Sequence, residues 1–258
     1  MSTEQILGIK FFNGEVDHAI DFISERGGFL VAPSGTCFAR LQRDEAYREA
    51  MTNADIAIPD SGAMVLLWML LRGRKVRRIS GWKYLSCLSA KFFATKRGDV
   101  LWVVPSERTR ESTARWLSQN GFPFSDDDFY VAPIYSGTVA DPSLVEKIDN
   151  RKPRHVIVGI GSGPQEKLGY YLREHSNHRA AIHCIGAALG FLVGEQVKIP
   201  AWVDRFYLGW LLRLLRQPRI FVPRYLSALK LPLLIFRYRG DLPPLHKVER
   251  TISGDKLN

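Results

Sequence analysis

Cysteine is scarce in this sequence, with three in 258 residues. Cys37, Cys87 and Cys184 lie far apart, and no two of them form a C-x-x-C pair. This spacing argues against a disulfide framework and against a structural zinc site, and the six histidines show no zinc-ligand spacing either. We therefore expect a protein of a reducing compartment that holds no metal ion.

Long apolar runs are absent as well. A helix that crosses a bilayer needs roughly 18 consecutive apolar residues. The longest runs here are 63–71 and 231–236, and Pro232 interrupts the second. The first residues carry an early acid, Glu4, and no signal-peptide pattern. We expect a cytoplasmic protein that is not integral to a membrane but can lie on one.

Acidic residues are fewer than basic ones, 26 against 36, so the formal net charge is +10. Such an excess favours an anionic partner: a nucleic acid, a nucleotide or an acidic lipid. The remaining composition, 46% hydrophobic and 24% charged, excludes disorder, collagen and coiled coil as the main architecture. A chain of this length forms one or two domains with a substantial core.

Short apolar segments alternate with helix-like segments up to about Pro200. Strands that are apolar at every position are typical of a parallel sheet covered on both faces. We predict an α/β fold with a Rossmann-like, mostly parallel sheet and helices on both faces. The predicted strands are Phe29–Pro33, Ala54–Asp60, Asp99–Pro105, Phe129–Pro133, His155–Val158 and Ala181–Ile185, and the predicted helices include 37–51, 62–71 and 106–120.

The composition changes after Pro200. Residues 201–239 contain eight basic residues and one acid, Asp204, with leucines and aromatics between them. We predict three parts: a Rossmann-like α/β core (1–200), a basic, amphipathic C-terminal helical appendage (201–240) and a polar tail (241–258). A chain cut after Pro200 is then expected to keep a folded core.

A glycine-rich turn, Gly159–Glu166, follows one predicted strand and precedes a predicted helix. Its glycines let the backbone approach a ligand closely, and free N–H groups at a helix N-terminus attract an anion such as phosphate. Open α/β sheets bind ligands at this carboxyl edge. The spacing matches neither G-x-G-x-x-G nor a Walker A loop, so a tight turn without a ligand is an alternative.

Three further segments could carry chemistry, and each has a plainer alternative. Asp60, at a strand end before Gly62, is a candidate general base, or it only caps the following helix. Arg78, beside Ser80 and Gly81, is a candidate phosphate clamp, or part of a solvated basic loop. The appendage arginines could face a diphosphate, an anionic bilayer or RNA, or only solvent.

Taken in order, these segments resemble the WecG/TagA/CpsF glycosyltransferases (glycosyltransferase family 26) from about Phe11 to Tyr225. Each segment alone is weak evidence for the family, but the set of segments in this order is specific to it. The segments that carry the resemblance are Asn13–Asp17, Ala54–Gly62, Arg78–Gly81, Gly159–Ser162 with Gln165 and Glu166, Gly186–Ala188 with Phe191 and Gly194, and, towards the end, Ile199, Pro200, Trp202, Trp210, Arg213, Pro218, Arg219, Arg224 and Tyr225.

The sequence also departs from the family pattern. The differing positions are Ala32, Ser34, Ser61, Gly163, Pro164 and Gly209. At Ala32 a threonine contact is missing. At Gly163 and Pro164 the family has a Pro-Lys pair, so we expect the glycine-rich turn to lack a cation.

The resemblance implies an inverting, metal-independent glycosyltransferase. It would transfer an N-acetylmannosamine-type sugar from a UDP donor to a polyprenyl-diphosphate-linked sugar in cell-surface polysaccharide synthesis. It would need no cofactor besides the donor, and would bind peripherally to the anionic inner face of the bacterial cytoplasmic membrane. We assign Asp60 the role of catalytic base. The predicted substrate-binding residues are Ser34, Ser61, Gly62, Arg78, Gly81, Gly159, Gly161, Ser162, Gln165, Glu166, Gly186, Arg213, Arg219 and Arg224.

Two other functions stay open. The departures from the pattern allow a catalytically inactive relative that binds UDP-sugars. The net charge alone supports a basic RNA-binding protein, although we expect no nucleic-acid partner. The sequence does not give the oligomeric state, and a homo-oligomer is one candidate.

Overall fold

The computed structural model describes residues 1–95, 99–186, 188–194, 215, 219, 222 and 229–246. The strands in this part of the chain are β1 (Thr3–Ile6), β2 (Ile9–Phe12), β3 (Gly28–Val31), β4 (Ile56–Ala57), β5 (Val100–Val104), β6 (Phe129–Val131), β7 (His155–Val158) and β8 (Ala181–Cys184). The α-helices are α1 (Val16–Arg26), α2 (Glu45–Thr52), α3 (Gly62–Arg72), α4 (Gly81–Thr95), α5 (Glu107–Gln119), α6 (Pro142–Arg151), α7 (Pro164–His175), α8 (Ala188–Leu192) and α9 (Lys230–Tyr238). Two 3₁₀ helices span Gly35–Gln42 and Asp126–Asp128.

The strands form one sheet in the order β1-β2-β4-β3-β8-β7-β5-β6. β1 and β2 are an antiparallel hairpin at one edge, and all other neighbouring pairs are parallel. Strand β7 shows how the sheet is covered, since all four of its residues are buried. Val156 and Val158 pack with α2, α3, α6, α7 and α9, whereas Ile157 packs with α1, α4, α5 and α8. The predicted α/β fold, with helices on both faces of a mostly parallel sheet, is confirmed.

The structure contains elements that were not predicted and divides one that was. The hairpin of β1 and β2 was not predicted, and neither were α1, α4, α6 and α8. The predicted helix 37–51 is a 3₁₀ helix followed by α2, with a break at Asp44. There the Asp44 carboxylate accepts a hydrogen bond from the N–H of Tyr47 at 2.9 Å and caps α2. An N-cap residue has non-helical backbone angles, so a helix cannot run through it.

Helix α9, in the predicted appendage, packs against the core. Leu231, Leu234 and Ile235 are buried in the same cluster as α2, α3 and α7. Beyond α9, the carbonyl oxygens of Arg239 and Gly240 accept hydrogen bonds from the N–H groups of Leu7 and Gly8, each at 2.9 Å. The chain end thereby closes over the β1–β2 turn. Most of 201–228 lies outside the described residues, so the boundaries at 200 and 240 stay predictions.

Two buried histidines and a tyrosine link the sheet to α4. The Tyr84 hydroxyl lies 2.9 Å from Nδ1 of His183, and Nε2 of His183 lies 3.1 Å from Nδ1 of His155. Burial lowers the pKa of His155 to about 4, and the Arg154 charge acts in the same direction. Burial also lowers the pKa of His183 well below its usual value. Both imidazoles are therefore neutral at pH 7, and the linkage holds α4 in place at the turn that begins with Gly81.

We expect the folded state to lose stability as the pH falls from about 6.5 toward 4. A histidine with a lowered pKa in the folded state stabilises it above the unfolded pKa, because on acidification the unfolded chain binds the proton first. For His155 this loss is about 2 kcal/mol at pH 5. Urea unfolding at pH 7.5 and pH 5 measures it. Glutamine does not titrate, so the free energy of unfolding of the His155→Gln variant should fall by correspondingly less between the two pH values. An equal fall in both proteins would contradict this interpretation.

Candidate active site

The predicted site residues gather at the carboxyl edge of the sheet. Strands β4, β3, β8 and β7 are parallel and adjacent in that order, so their carboxyl ends lie side by side. Ser34 comes shortly after β3, Asp60 shortly after β4, Gly159 directly after β7 and Gly186 shortly after β8. The fold therefore brings together segments that are far apart in the chain.

Asp60 is held at the N-terminus of α4. Its Oδ1 accepts a hydrogen bond from the N–H of Gly81 at 2.9 Å, and its carbonyl oxygen accepts one from Nε of Arg78 at 2.9 Å. The Oγ of Ser80 accepts from the N–H of Lys83 at 3.2 Å and completes the turn. The dipole of α4 favours an ionised carboxylate at this position. Asp60, Arg78 and Gly81 thus form one half-buried unit.

Ser61, and not Asp60, caps α3. Its Oγ accepts from the N–H of Met64 at 3.2 Å. A Cβ on Gly35 would lie 2.8 Å from this Oγ, so the turn after β3 passes directly over Ser61. Ser34 begins that turn, with its Oγ 3.0 Å from Oγ1 of Thr36. The helix that directly follows Asp60 is therefore capped by Ser61, whereas the Asp60 carboxylate bonds to the first residue of α4; its role as a base stays a prediction.

The first residue of α4 lies over the ends of two strands. A Cβ on Gly81 would lie 3.2 Å from the carbonyl oxygen of Ile185, after β8, and 3.9 Å from the Cβ of Ala32, after β3. A Cβ on Gly186 would lie 3.6 Å from Oγ of Ser162 in the glycine-rich turn. The Asp60 turn and the glycine-rich turn are therefore connected through the end of β8.

The glycine-rich turn leads into α7, which begins at Pro164 as predicted. Gly161 and Gly163 have φ angles of +97° and +104°, which favour glycine. A Cβ on Gly161 would meet no heavy atom of the described chain within 4 Å, so the turn is open there. Gly163 is buried at the N-cap.

Gln165 and Glu166 brace this turn from inside, and both side chains are 0% exposed. Gln165 Oε1 accepts from the N–H of Gly186 at 2.8 Å, and Nε2 donates to Oε1 of Glu166 at 3.0 Å. The other Glu166 oxygen accepts from the N–H of Gly163 at 2.5 Å. Their direct contact with a substrate stays a prediction.

Glu166 changes the expected electrostatics of the α7 N-terminus. Burial raises its pKa, while the hydrogen bonds from Gln165 and Gly163 and the Arg40 charge act to lower it. The N–H of Gly163 is bonded to its carboxylate, and the N–H of Gln165 to the carbonyl oxygen of Gly161 at 3.2 Å. These two N–H groups are used inside the protein, so they are not the free donors that were expected at this N-terminus, whereas phosphate binding by the rest of the turn stays a prediction.

Arg40 is a site residue that the sequence reasoning missed. A Cβ on Gly163 would lie 2.3 Å from Nη1 and 2.9 Å from Cζ of Arg40, so the guanidinium covers this glycine. The expectation that the turn lacks a cation is therefore wrong. Arg40 lies on the first 3₁₀ helix, 123 positions before Gly163, and no local pattern joins the two.

The structure describes one of the three predicted appendage arginines. Arg213 and Arg224 lie outside the described residues. Arg219 is described, and its side chain is exposed. In the described part of the chain, no hydrogen bond or ion pair joins it to the other predicted site residues.

Two clefts open at the opposite, amino edge of the sheet. Their volumes are about 370 and 350 Å³, and Arg179 borders both, with Gly28 and Asp55 in one and Asp99 in the other. None of the predicted site residues lines either cleft. The candidate site therefore rests on the carboxyl edge alone.

The described residues contain no group of three or more His, Cys, Asp or Glu that could hold a metal ion. Within the same part of the chain, the helices are too short or too polar to cross a membrane.

The comparison that decides the family covers nearly the whole chain. A family model described as "Glycosyl transferase WecG/TagA/CpsF family" matches residues 4–243. The chain belongs to the WecG/TagA/CpsF family of glycosyltransferases. The family match runs from β1 to beyond α9, so it includes the Asp60 turn, the glycine-rich turn and the C-terminal helix. The resemblance seen in the sequence is confirmed, and the protein is a glycosyltransferase.

Two relatives with similar sequences have the same name, "N-acetylglucosaminyldiphosphoundecaprenol N-acetyl-beta-D-mannosaminyltransferase". The relative from Bacillus subtilis (strain 168) is 25% identical over 244 residues, which are 89% of this chain and 92% of the relative. The relative from Bacillus spizizenii (strain ATCC 23059 / NRRL B-14472 / W23) is 22% identical over 240 residues, 88% of this chain and 91% of the relative.

Proposed function

We propose that this glycosyltransferase transfers an N-acetylmannosamine-type sugar from a UDP donor to an N-acetylglucosamine carried on polyprenyl diphosphate, with inversion. The names of the two Bacillus relatives support the acceptor and the transferred sugar. The observation that carries the proposal is the Asp60 carboxylate, fixed by the Gly81 N–H at the carboxyl edge. We propose that the enzyme acts in cell-surface polysaccharide synthesis, because its proposed acceptor is a sugar carried on polyprenyl diphosphate.

Asp60 is the proposed general base. In an inverting transfer, the acceptor hydroxyl attacks the anomeric carbon while a base takes its proton. The bond between the anomeric carbon and the donor diphosphate breaks, and UDP leaves with the electron pair. The hydrogen bond from the Gly81 N–H orients the carboxylate for this step.

The leaving UDP gains negative charge, which fixed cations and dipoles stabilise. Arg78 is bonded to the Asp60 turn, and the glycine-rich turn reaches the same edge through Gly186. Arg213, Arg219 and Arg224 are proposed to complete the diphosphate contacts from the appendage. With these groups the reaction proposed here uses no metal ion and no cofactor besides the UDP-sugar.

Calorimetric titration with UDP, GDP and a short RNA tests this proposal against its alternatives. We expect UDP to bind and GDP and RNA to bind much more weakly. UDP binding without sugar transfer to a lipid acceptor would favour the inactive relative. Binding of RNA alone, with a steep salt dependence, would favour the RNA-binding protein.

An exposed apolar surface beside the site suits a membrane. Leu229, the N-cap of α9, is 71% exposed, and Leu233 and Phe236 on α9 are 64% and 66% exposed. Leu70 on the adjacent α3 is 81% exposed. We define these four residues as the α3–α9 surface. The basic residues on these two helices or directly after them are Arg72, Arg74, Lys75, Lys230, Arg237 and Arg239.

Helix α9, which carries part of the α3–α9 surface, packs beside the candidate site on its buried side. A Cβ on Gly35, in the turn that crosses Ser61, would lie 3.7 Å from Cδ2 of Leu231 on α9. Apolar side chains ringed by arginine and lysine bind the interface of anionic bilayers. We propose that this surface rests on the inner face of the cytoplasmic membrane, where a lipid-linked acceptor would reach the site.

Replacing both Leu233 and Phe236 with glutamine is expected to weaken binding to phosphatidylglycerol-containing vesicles about 10- to 100-fold, because two apolar side chains no longer enter the interface. Vesicle co-sedimentation measures the change. Ile134→Gln is the matched control, since Ile134 is 96% exposed but follows β6 at the other edge of the sheet. Unchanged binding of the double variant would remove the α3–α9 surface from the membrane contact.

A further inference from the structure

The guanidinium of Arg40 occupies the space that a side chain at position 163 would need. A Cβ on Gly163 would lie 2.3 Å from Nη1, 2.9 Å from Cζ and 3.4 Å from Nη2. The guanidinium therefore lies directly beside Gly163, at the N-cap of α7. Arg40 can lie here because glycine has no side chain at position 163.

If Arg40 had only a structural role, we would expect it to form an ion pair with Glu166. The Arg40 charge acts on Glu166, which is fully buried. Both Glu166 oxygens, however, already accept hydrogen bonds from Gly163 and Gln165. Within the described residues, no hydrogen bond or ion pair holds the Arg40 guanidinium, and the residue is exposed. Its donors are therefore directed to solvent or to a ligand.

The space beside Arg40 belongs to the candidate site. Gly161 is open, since a Cβ there would meet no described atom within 4 Å, and Ser162 lies next to Gly186. The N–H groups of Gly163 and Gln165 are used inside the protein. The positive charge that the open turn presents is thus the Arg40 guanidinium and not the α7 N-terminus.

We infer that Arg40 binds the diphosphate of the donor nucleotide, in a position that only glycine at 163 permits. A guanidinium donates paired N–H bonds that match two phosphate oxygens. The inference deepens the proposed function, because it names a donor-binding residue of the same site. Ser162 and the open backbone at Gly161 border the same diphosphate.

Titration of the full chain with UDP, UMP and uridine tests the inference. Arg40→Gln should weaken UDP binding about 10- to 100-fold, as for a lost hydrogen bond to a charged group. The loss should be smaller for UMP and absent for uridine, and Arg40→Lys should recover part of it. Arg43→Gln is the matched control, because it removes the same charge from an exposed side chain that ends the same 3₁₀ helix.

A double-mutant cycle tests the role of Gly163. In the protein with Arg40, Gly163→Ala should weaken UDP binding about as much as Arg40→Gln, because the added Cβ displaces the guanidinium. In the Arg40→Ala background the same change should cost less, because only the strain of alanine at a φ of +104° remains. Such coupling between two substitutions reports direct contact. Thermal unfolding of each variant confirms that it is folded.

The outcomes separate this inference from the proposed function. Wild-type binding of UDP with unchanged binding by Arg40→Gln overturns the role of Arg40 and leaves the proposed function standing. Equal losses for UDP and uridine also overturn it, since they indicate a structural role through Glu166. Wild-type protein that binds no UDP overturns both.

Discussion

Replacing Asp60 with asparagine is expected to lower kcat at least about 100-fold, the smallest usual contribution of a general base. Asparagine has nearly the same shape, and its side-chain oxygen can still accept the hydrogen bond from the Gly81 N–H. It cannot take a proton from the acceptor hydroxyl. UDP affinity and both KM values should therefore stay within about 2-fold, since the loss falls on the transition state alone.

Asp55→Asn is the matched control for this substitution. Asp55 precedes β4 at its amino end, and its Oδ2 accepts a hydrogen bond from the N–H of Phe29 at 2.8 Å. It is thus another carboxylate bonded to backbone, at the opposite end of the same strand, and its kcat should be close to normal. Near-normal turnover by Asp60→Asn would remove Asp60 from the mechanism. A parallel loss of UDP affinity would reassign it to donor binding.

Deleting residues 229–258 is expected to leave a chain that does not fold cooperatively. Leu231, Leu234 and Ile235 are buried, and side chains of this size contribute about 1.5–3 kcal/mol each. Their sum approaches the whole stability of a typical domain, about 5–15 kcal/mol. The hydrogen bonds from Leu7 and Gly8 would be lost as well. This replaces the expectation that a chain cut after Pro200 keeps a folded core.

Two neighbouring leucines provide a sharper comparison by urea unfolding. Leu234→Ala should destabilise the protein by about 2–5 kcal/mol, because it leaves a cavity in the core. Leu233→Ala removes the same atoms from an exposed position and should cost less than about 0.5 kcal/mol. Equal effects, or a 1–228 fragment that unfolds at the temperature of the full chain, would show that α9 is dispensable for folding.

The sheet could be predicted because its strands are buried on both faces. Every residue of β3, β5, β7 and β8 is buried, and segments in which nearly every residue is apolar are distinctive in sequence. The β1–β2 hairpin was missed because its turn uses Leu7, with a φ angle of +52°, ahead of Gly8. Leucine rarely adopts that conformation, so the local sequence marked the turn only through Gly8.

The residues of the candidate site were easier to predict than the hydrogen bonds and contacts between them. Asp60 and Gly81 could be chosen from separate motifs, yet their hydrogen bond spans 21 residues and depends on how α4 packs. Glu166 was predicted as a ligand contact, which stays a prediction, but its role as an internal cap of α7 could not be seen from the sequence. Arg40 was missed entirely, because its contact with Gly163 exists only after the first 3₁₀ helix and α7 have packed on the same face of the sheet.

The central claim is tested most directly by incubating the purified enzyme with UDP-N-acetylmannosamine and an N-acetylglucosaminyl diphosphate-linked polyprenol, with EDTA present, and analysing the lipid product by mass spectrometry and NMR. The account predicts one added N-acetylhexosamine in a β linkage, formed at undiminished rate in EDTA and lost in Asp60→Asn. No added sugar, or a product that forms only with a divalent metal, would contradict it.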